Sequence, residues 1–357
     1  INGCLVGSEM CIRDSEGDNP WDSWANSVEG ENGEVLSGWR LRNSNKPSRL
    51  PEKHSETAFM TNRAIDFIKE TKEQWFLHLS YIKPHWPYIA PAPYHNMYSQ
   101  NQFYPVQRSD SEKNINHPVY KAFMENSISK TFSQENVRET VLAGYMGLIK
   151  QIDDNLGRLF KFLEENGNMQ DTMIVFTSDH GDYHGDHWLG EKELFHEQIV
   201  KVPMIIYDPS EEANKTRGKK EKRFIEAIDL LPTFLDAVES KASKHRLEGS
   251  SLIPILRDDK ISKWRESVFS EIDYSFNEAR QILNIGASDA RAYMIRNDKW
   301  KYIYYKGFPP QLFDLEKDKD EFNDLGQSKD HQNILNQMKD ILLERLTDRK
   351  NRTAADD

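Results

Sequence analysis

The sequence predicts an α/β fold closed by a small antiparallel subdomain, and three observations carry that reading. Short apolar runs at 75–80, 173–176 and 202–207 alternate with longer stripes of helical period, the pattern of strands covered by helices. The run 173–176 leads directly into a polar cluster, as a strand does when a site lies beyond its carboxyl end. Past Leu256 the texture changes to short β-like runs and one terminal amphipathic stripe.

Taken in order, the segment 18–50 is polar and carries Trp21, Trp24 and Trp39 among Gly, Asn, Ser and Pro, which reads as an ordered surface excursion pinned by aromatic anchors. Ser55 caps a helix with Phe59, Ala64, Phe67 and Ile68 on one face, ending near Glu70. After the strand at 75–80, Pro84, Pro87 and Pro91 exclude helix and hold an extended loop. That loop places Lys83 and His85 just past a strand end. From 137 to 162 the residues Val141, Tyr145, Leu148, Ile152, Leu156, Leu159 and Leu163 trace a long amphipathic helix, with Gly167 as its stop. Asp153 and Asp154 fall on its solvated face.

Downstream, the lysines of 213–223 read as a charged surface loop, and 225–239 is helical in period with Pro232 marking a kink or a fresh start. Strands follow at 268–272, 292–296 and 300–305, the last two joined by a turn at Asn297-Asp298. Ile334, Leu335, Met338, Ile341, Leu342 and Leu346 form a closing helix, and 347–357 is expected to fray. The resulting domain boundaries are an α/β domain at 16–265 and a C-terminal subdomain at 266–346.

The 357 residues are 37% hydrophobic, enough for a sizeable core. A net charge of −11, from 47 basic and 58 acidic residues, offers no basic stripe for nucleic acid. No apolar run is long enough to span a bilayer, so no membrane partner is expected. Both cysteines, Cys4 and Cys11, lie in the opening run INGCLVGSEMCIRDS, which resembles a translated adapter sequence; residues 1–15 are therefore set aside. The remainder has no cysteine for a disulfide or thiolate site, and a cytoplasmic location is the expectation.

The chemistry gathers after 173–176. Asp179 and His180 follow that strand at once, and Gly181 lets the chain turn so that both side chains face one crevice. A carboxylate oxygen and an imidazole nitrogen side by side supply half of a divalent-metal shell. Lys192 returns twelve residues later, beyond a Gly-Asp-His-Trp turn, with a positive charge suited to an anionic substrate. An Asp-His pair alone after a strand is more often a helix cap with a hydrogen-bonded histidine than a metal site; the whole run carries the functional reading.

That run, with Thr177 to Gly181, Gly185 to His187 and Gly190-Glu191-Lys192, resembles the sulfatase and phosphonate monoester hydrolase branch of the alkaline phosphatase superfamily. The resemblance implies an alkaline phosphatase-like central sheet flanked by helices, with Asp179 and His180 as metal ligands and Lys192 on the transferred sulfuryl or phosphoryl group. Pro84-His85-Trp86-Pro87 matches the family's Pro-His-x-Pro element, which implies His85 on the leaving-group side, as both a catalytic and a substrate-binding residue, with Lys83 adding field. The tail strings Lys301 to Ile303 and Leu312 to Leu315 look like those of sulfatases. The segment 270–283 is more similar to the phosphonate branch, whose members assemble into homo-oligomers.

The resemblance further implies one divalent ion, calcium or manganese/zinc, with the transition metals favoured, and a formylglycine nucleophile made from a Cys or Ser followed by x-Pro-x-Arg. Cys4 precedes Leu-Val-Gly-Ser and Cys11 precedes Ile-Arg-Asp-Ser, so neither fits. The family's paired aspartates near its first strand are also missing. The chain is thus expected to be a C-terminal fragment, inactive by itself, of a sulfatase-like, metal-dependent sulfuric ester hydrolase acting on small anionic esters. Two alternatives stand beside it: a phosphonate monoester or phosphodiester hydrolase, and a non-catalytic binding protein on the same fold.

Overall fold

The fold follows from where apolar side chains can be covered, and the chain divides into two units, Ile1–Val106 with Thr131–Gln170 and Gln107–Lys130 with Asp171–Asp357. The computed structural model describes residues 2–6, 26–99, 102–240 and 246–348. Trp21, Trp24 and the tail expected to fray after 348 lie outside the described residues. A boundary at 265 does not separate the units: the C-terminal subdomain shares its unit with the loop that carries Asp179, His180 and Lys192.

In the first unit, β1 (Asn2–Val6) runs parallel to β4 (Trp75–Leu79), so the opening run set aside in the sequence analysis contributes a strand. The excursion before Ser55 holds an antiparallel hairpin, β2 (Ser27–Glu29) with β3 (Val35–Ser37). Helix α1 (Glu56–Glu70) starts where expected, because the Ser55 side chain accepts the Ala58 amide at 3.2 Å. Its buried face is Ala58, Met60, Thr61, Ala64 and Ile68; Phe59, expected on that face, is exposed, because the stripe is rotated by one position.

Helix α2 (Glu135–Glu165) buries Val141, Leu148, Ile152, Leu159 and Leu163 as its period requires. It ends at Asn166 and Gly167. Asp153 is exposed and ion-paired to Lys150, while Asp154 also accepts the Tyr94 hydroxyl at 2.9 Å. Neither aspartate is a site residue here.

The proline loop after β4 is cross-braced. Lys83 Nζ donates to the Pro87 carbonyl at 2.7 Å, spanning His85, whose own amide donates to Ile82 O at 3.1 Å. Trp86 donates its indole N–H to Trp39 O at 3.1 Å and stacks on the buried Tyr88, so Trp39 is an anchor as expected.

In the second unit, β5 (Ile174–Thr177) pairs antiparallel with β6 (Met204–Tyr207), in register Ile174↔Tyr207 to Thr177↔Met204. The apolar run 173–176 has the pattern of a buried sheet-core strand, but its burial in the structure is incomplete. Ile174 and Val175 are half-buried, Phe176 is 38% exposed and Ile205 on the partner strand 64%. Two strands alone cannot cover both faces of an apolar ribbon.

The tail is a four-stranded antiparallel sheet in the order β10 (Gln311–Asp314), β9 (Trp300–Tyr305), β8 (Arg291–Arg296), β7 (Val268–Asp273). The β8–β9 hairpin turns at Asn297 as predicted, and Leu312 to Asp314 prove to be a strand as well. One face buries Ile295, Tyr302 and Leu312 under helix α3 (Gln332–Thr347), through Leu335, Met338 and Leu342. The other turns Ala292, Met294, Ile303, Tyr305 and Phe313 into a larger cluster with Tyr183, Leu189, Leu194 and Phe195. The sheet is a floor for the loop after Asp179-His180.

Burial pushes the Lys83 ammonium down from 10.5 to about 8, against the opposing pull of Glu56. Below that value both folded and unfolded states carry the proton and the penalty is complete. As pH rises through it, the folded state loses its proton first and the penalty fades. Stability measured by urea unfolding should therefore rise by about 1–2 kcal/mol between about pH 7.5 and about 9.5. Lys83→Met should remove that rise; equal pH slopes in the two proteins would contradict it.

Candidate active site

Asp179 and His180 leave β5 in opposite roles. Asp179 Oδ1 accepts the His180 amide at 3.0 Å, which leaves Oδ2 facing outward from a side chain that is 84% exposed. His180 Nδ1 lies 2.7 Å from Gly181 O; a carbonyl only accepts, so Nδ1 carries the proton and Nε2 presents its lone pair. Ser178 Oγ donates to His180 O at 2.8 Å and stiffens the turn.

Nε2 of His180 and Oδ2 of Asp179 are 3.5 Å apart. Donors at that spacing subtend about 110° at an ion with bonds of about 2.1 Å, and about 90° with bonds of about 2.45 Å, so the pair fits one divalent cation of either kind. Among the described residues no group of three or more His, Cys, Asp or Glu side chains is placed to hold a metal. The pair by itself would offer two donors to such an ion.

Gly181 is needed for a different reason from the one its position suggested. Its φ is not left-handed; instead a Cβ there would sit 1.8 Å from Gln198 O, where the outgoing and returning arms of the loop cross. The arms are tied by Gly181 N to Ile199 O and by Tyr183 N to Glu191 O, both at 2.8 Å. Lys192, half-buried, is the next residue, so its Cα is set by that second bond.

Between these ties the backbone is strained. Of the nine non-glycine residues with positive φ among the described residues, five lie here: His184, His187, Trp188, Glu191 and Leu194, at 44°, 55°, 60°, 58° and 74°. Each costs about 1 kcal/mol or more, and such conformations persist only where surroundings over-determine them. Gly185, at φ 93°, takes the one turn that only glycine adopts freely.

The surroundings are buried and polar. At the tip, fully buried Glu112 accepts His187 Nδ1 at 2.7 Å, the Tyr120 hydroxyl at 2.8 Å and the Ser109 amide at 2.7 Å. The His187 ring stacks on His196 at 3.9 Å, and His196 Nδ1 is 2.7 Å from the Tyr183 hydroxyl. Burial, with the charges of His187 and Lys301 adding to it, holds the His196 imidazole well below its usual range. Burial also lifts Tyr183 well above its own, so Tyr183 donates and His196 accepts.

At the base, fully buried Lys301 of β9 reaches Phe195 O at 2.8 Å, Glu197 at 2.9 Å and Glu321 at 2.7 Å. Glu321 accepts the Glu197 amide at 2.8 Å. Burial alone raises a carboxyl, yet Lys301 and Arg296 together hold Glu197 below its usual range. Sequence reading missed Glu112, His187, His196, Lys301 and Glu321 as functional candidates. The signal for two of them was present, since His187 ends the Gly-Asp-His string and Lys301 interrupts an aromatic strand.

In the second unit Asp179 and His180 are adjacent, 3.5 Å apart at Oδ2 and Nε2, and Lys192 lies further along the same loop. His85 belongs to the first unit. Its Nδ1 lies 2.8 Å from Trp86 O, and because a carbonyl only accepts, Nδ1 is the donor of that bond.

A strand ending in an Asp-His pair, a lysine-bearing loop behind it and an antiparallel sheet beneath belong to an alkaline phosphatase-like fold. The sulfatase family model matches residues 10–240, and the N-sulphoglucosamine sulphohydrolase C-terminal model matches residues 185–348. The chain belongs to the sulfatase family, whose members are hydrolases that generally use a divalent metal ion and formylglycine.

The chain is 33% identical over 299 residues to a multifunctional alkaline phosphatase superfamily protein, PehA, of Trinickia caryophylli, covering 79% of this chain and 57% of that one. It is 28% identical to an arylsulfatase of Clostridium perfringens, covering 92% of this chain and 66% of that one. A phosphonate monoester hydrolase from Silicibacter pomeroyi has the same fold, with TM-score 0.81 and 26% identity over 95% of this chain and 68% of that structure. The chain therefore spans less than two thirds of the length of these two curated relatives. No helix among the described residues is long and apolar enough to cross a membrane.

Gly181→Ala should lower the stability of the second unit by about 2–3 kcal/mol, because the methyl meets backbone that cannot yield. Gly157→Ala, in open space on α2, should be neutral or stabilising by about 0.5–1 kcal/mol. Chemical denaturation of both variants checks this; a Gly181→Ala protein as stable as the parent would contradict it.

Proposed function

We propose that this chain carries part of the active site of a metal-dependent hydrolase of sulfate, phosphate or phosphonate esters, with Asp179 and His180 as metal ligands, Lys192 on the transferred anionic group and His85 on the leaving group. The observation that supports it most is the 3.5 Å separation of Asp179 Oδ2 and His180 Nε2, with the other histidine nitrogen already tied to a carbonyl.

A bound divalent ion would supply Lewis-acid stabilisation of charge on the transferred group. The rest is work for side chains. Asp179 and His180 hold the ion, and the imidazole in the pair favours manganese or zinc over calcium. The ammonium of Lys192 offsets charge on the equatorial oxygens. His85, fixed by its Nδ1–H bond to Trp86 O, delivers a proton from Nε2 to the departing oxygen. The formylglycine that the family generally uses as nucleophile has no source at Cys4 or Cys11, neither of which is followed by x-Pro-x-Arg.

The substrate class is a small ester of a tetrahedral anion. Sulfate monoesters, phosphodiesters and phosphonate monoesters make the same demands on a metal, a lysine and a histidine, so one site serves several of them. Similarity to both a multifunctional superfamily member and an arylsulfatase supports this breadth. We further propose a homo-oligomer and a cytoplasmic location, the first from the likeness of 270–283 to the phosphonate branch and the second from the confinement of cysteine to 4 and 11.

Two measurements test the assignment. Titration of the chain with Mn²⁺ or Zn²⁺ should show weak binding that Asp179→Ala and His180→Ala each abolish; binding untouched by both would remove them as ligands. In the enzyme with its nucleophile segment in place, His85→Ala should slow esters of high-pKa leaving groups by about 10²–10⁴ and nitrophenyl esters far less. An unchanged slope of kcat/KM against leaving-group pKa would remove His85 from catalysis.

A further inference from the structure

The loop 181–199 holds a conformation that its own residues resist, and what opposes that resistance is a set of buried charges with no part in the chemistry above. Its tip and its base are gripped separately. At the tip Glu112 collects three donors, from His187, Tyr120 and Ser109, and His187 Nδ1 is thereby fixed while its Nε2 is buried without a hydrogen-bond partner. The bond of His187 Nδ1 to Glu112 is what holds the ring in place.

At the base Lys301 bridges Phe195 O, Glu197 and Glu321 from beneath. The stack of His187 on His196, and the bond from Tyr183 to His196, join tip, outgoing arm and returning arm. Lys192 sits between the two grips, next to the Tyr183–Glu191 bond.

We propose that Glu112 and Lys301 are positioning residues for the anion contact at Lys192: they clamp the loop 181–199 at tip and base, so that the ammonium is in place before an anion arrives. The proposal rests on Lys192 being that contact. Its physical basis is preorganisation: a lysine on a loose loop loses side-chain and backbone freedom at each binding event, whereas one on a clamped loop has lost it in folding. A buried carboxylate and a buried ammonium suit this role better than apolar residues, since each can be satisfied in only one arrangement of its partners.

The test compares Glu112→Gln and Lys301→Met with the 357-residue parent and with Lys299→Met, which removes an exposed pair to Glu316 on the same sheet. Amide exchange is followed at Gly181, Tyr183, Gly185 and Gly190, whose N–H groups bond within or to the loop, and at the β8–β9 hairpin as reference. Lys192 is tagged by reductive ¹³C-dimethylation, assigned against Lys192→Arg, and titrated with inorganic sulfate. Each clamp variant should speed loop exchange by about tenfold or more, the loss of one hydrogen bond to a charged group, while the hairpin stays protected. Sulfate affinity at Lys192 should fall by a similar factor, and Lys299→Met should change neither.

Loop exchange within about twofold of the parent in both variants overturns the clamp. Faster exchange with unchanged sulfate affinity overturns the positioning role. A parent whose Lys192 resonance ignores sulfate instead overturns the assignment of Lys192 on which the proposal rests. If Glu112→Gln does not fold, Tyr120→Phe removes one donor from the same carboxylate and should speed loop exchange severalfold; no change there overturns the tip clamp.

Discussion

The pairing of Glu112 with His187 is the constraint on which the rest of the site depends. Neither residue has any exposure, and they lie 75 positions apart in sequence. A buried pair of this kind adds little stability compared with well-packed apolar residues, because desolvation consumes most of the attraction. What it adds is singularity. Glu112 also caps its own turn through Ser109 and takes the Tyr120 hydroxyl, so moving His187 would leave a carboxylate short of a donor in a dry interior.

From that point the loop can be followed in both directions. His187 stacks on His196, His196 accepts a hydrogen bond from the Tyr183 hydroxyl, and Tyr183 carries the amide that fixes Glu191 beside Lys192. On the far side Lys301 meets the returning arm from the sheet floor, whose other face packs on α3. The C-terminal sheet is therefore more than an appendage. Its inner face forms part of the apolar cluster on which the loop rests, and one of its strands supplies the charge that grips the loop's base.

Much of this was legible in the sequence, and the limits have physical causes. The helix at 135–165, the α3 stripe, the Asn297 turn and the Ser55 cap are local signals, and all appear in the structure. The Asp179-His180 pair was legible because strand end and donors are consecutive. Four apolar residues at 173–176 say that a strand forms, but coverage depends on neighbours, and among the described residues β5 pairs with β6 alone. Gly181 was legible as a necessary glycine and not for the right reason, since close approach to Gln198 is a property of two distant arms. Glu112 gave no sign at all. A lone glutamate beside Ser109 reads as a turn cap, which it is, and nothing nearby announces a histidine 75 residues on.

The most direct measurement of the central constraint is a double-mutant cycle between Glu112→Gln and His187→Phe, read from the denaturation of the chain by tryptophan emission. If the pair holds the loop as described, each single change should be costly and the two together little worse than one, with a coupling energy of about 2–4 kcal/mol. Additive effects, with coupling below about 0.5 kcal/mol, would mean that the loop is held by apolar packing alone and would contradict the account.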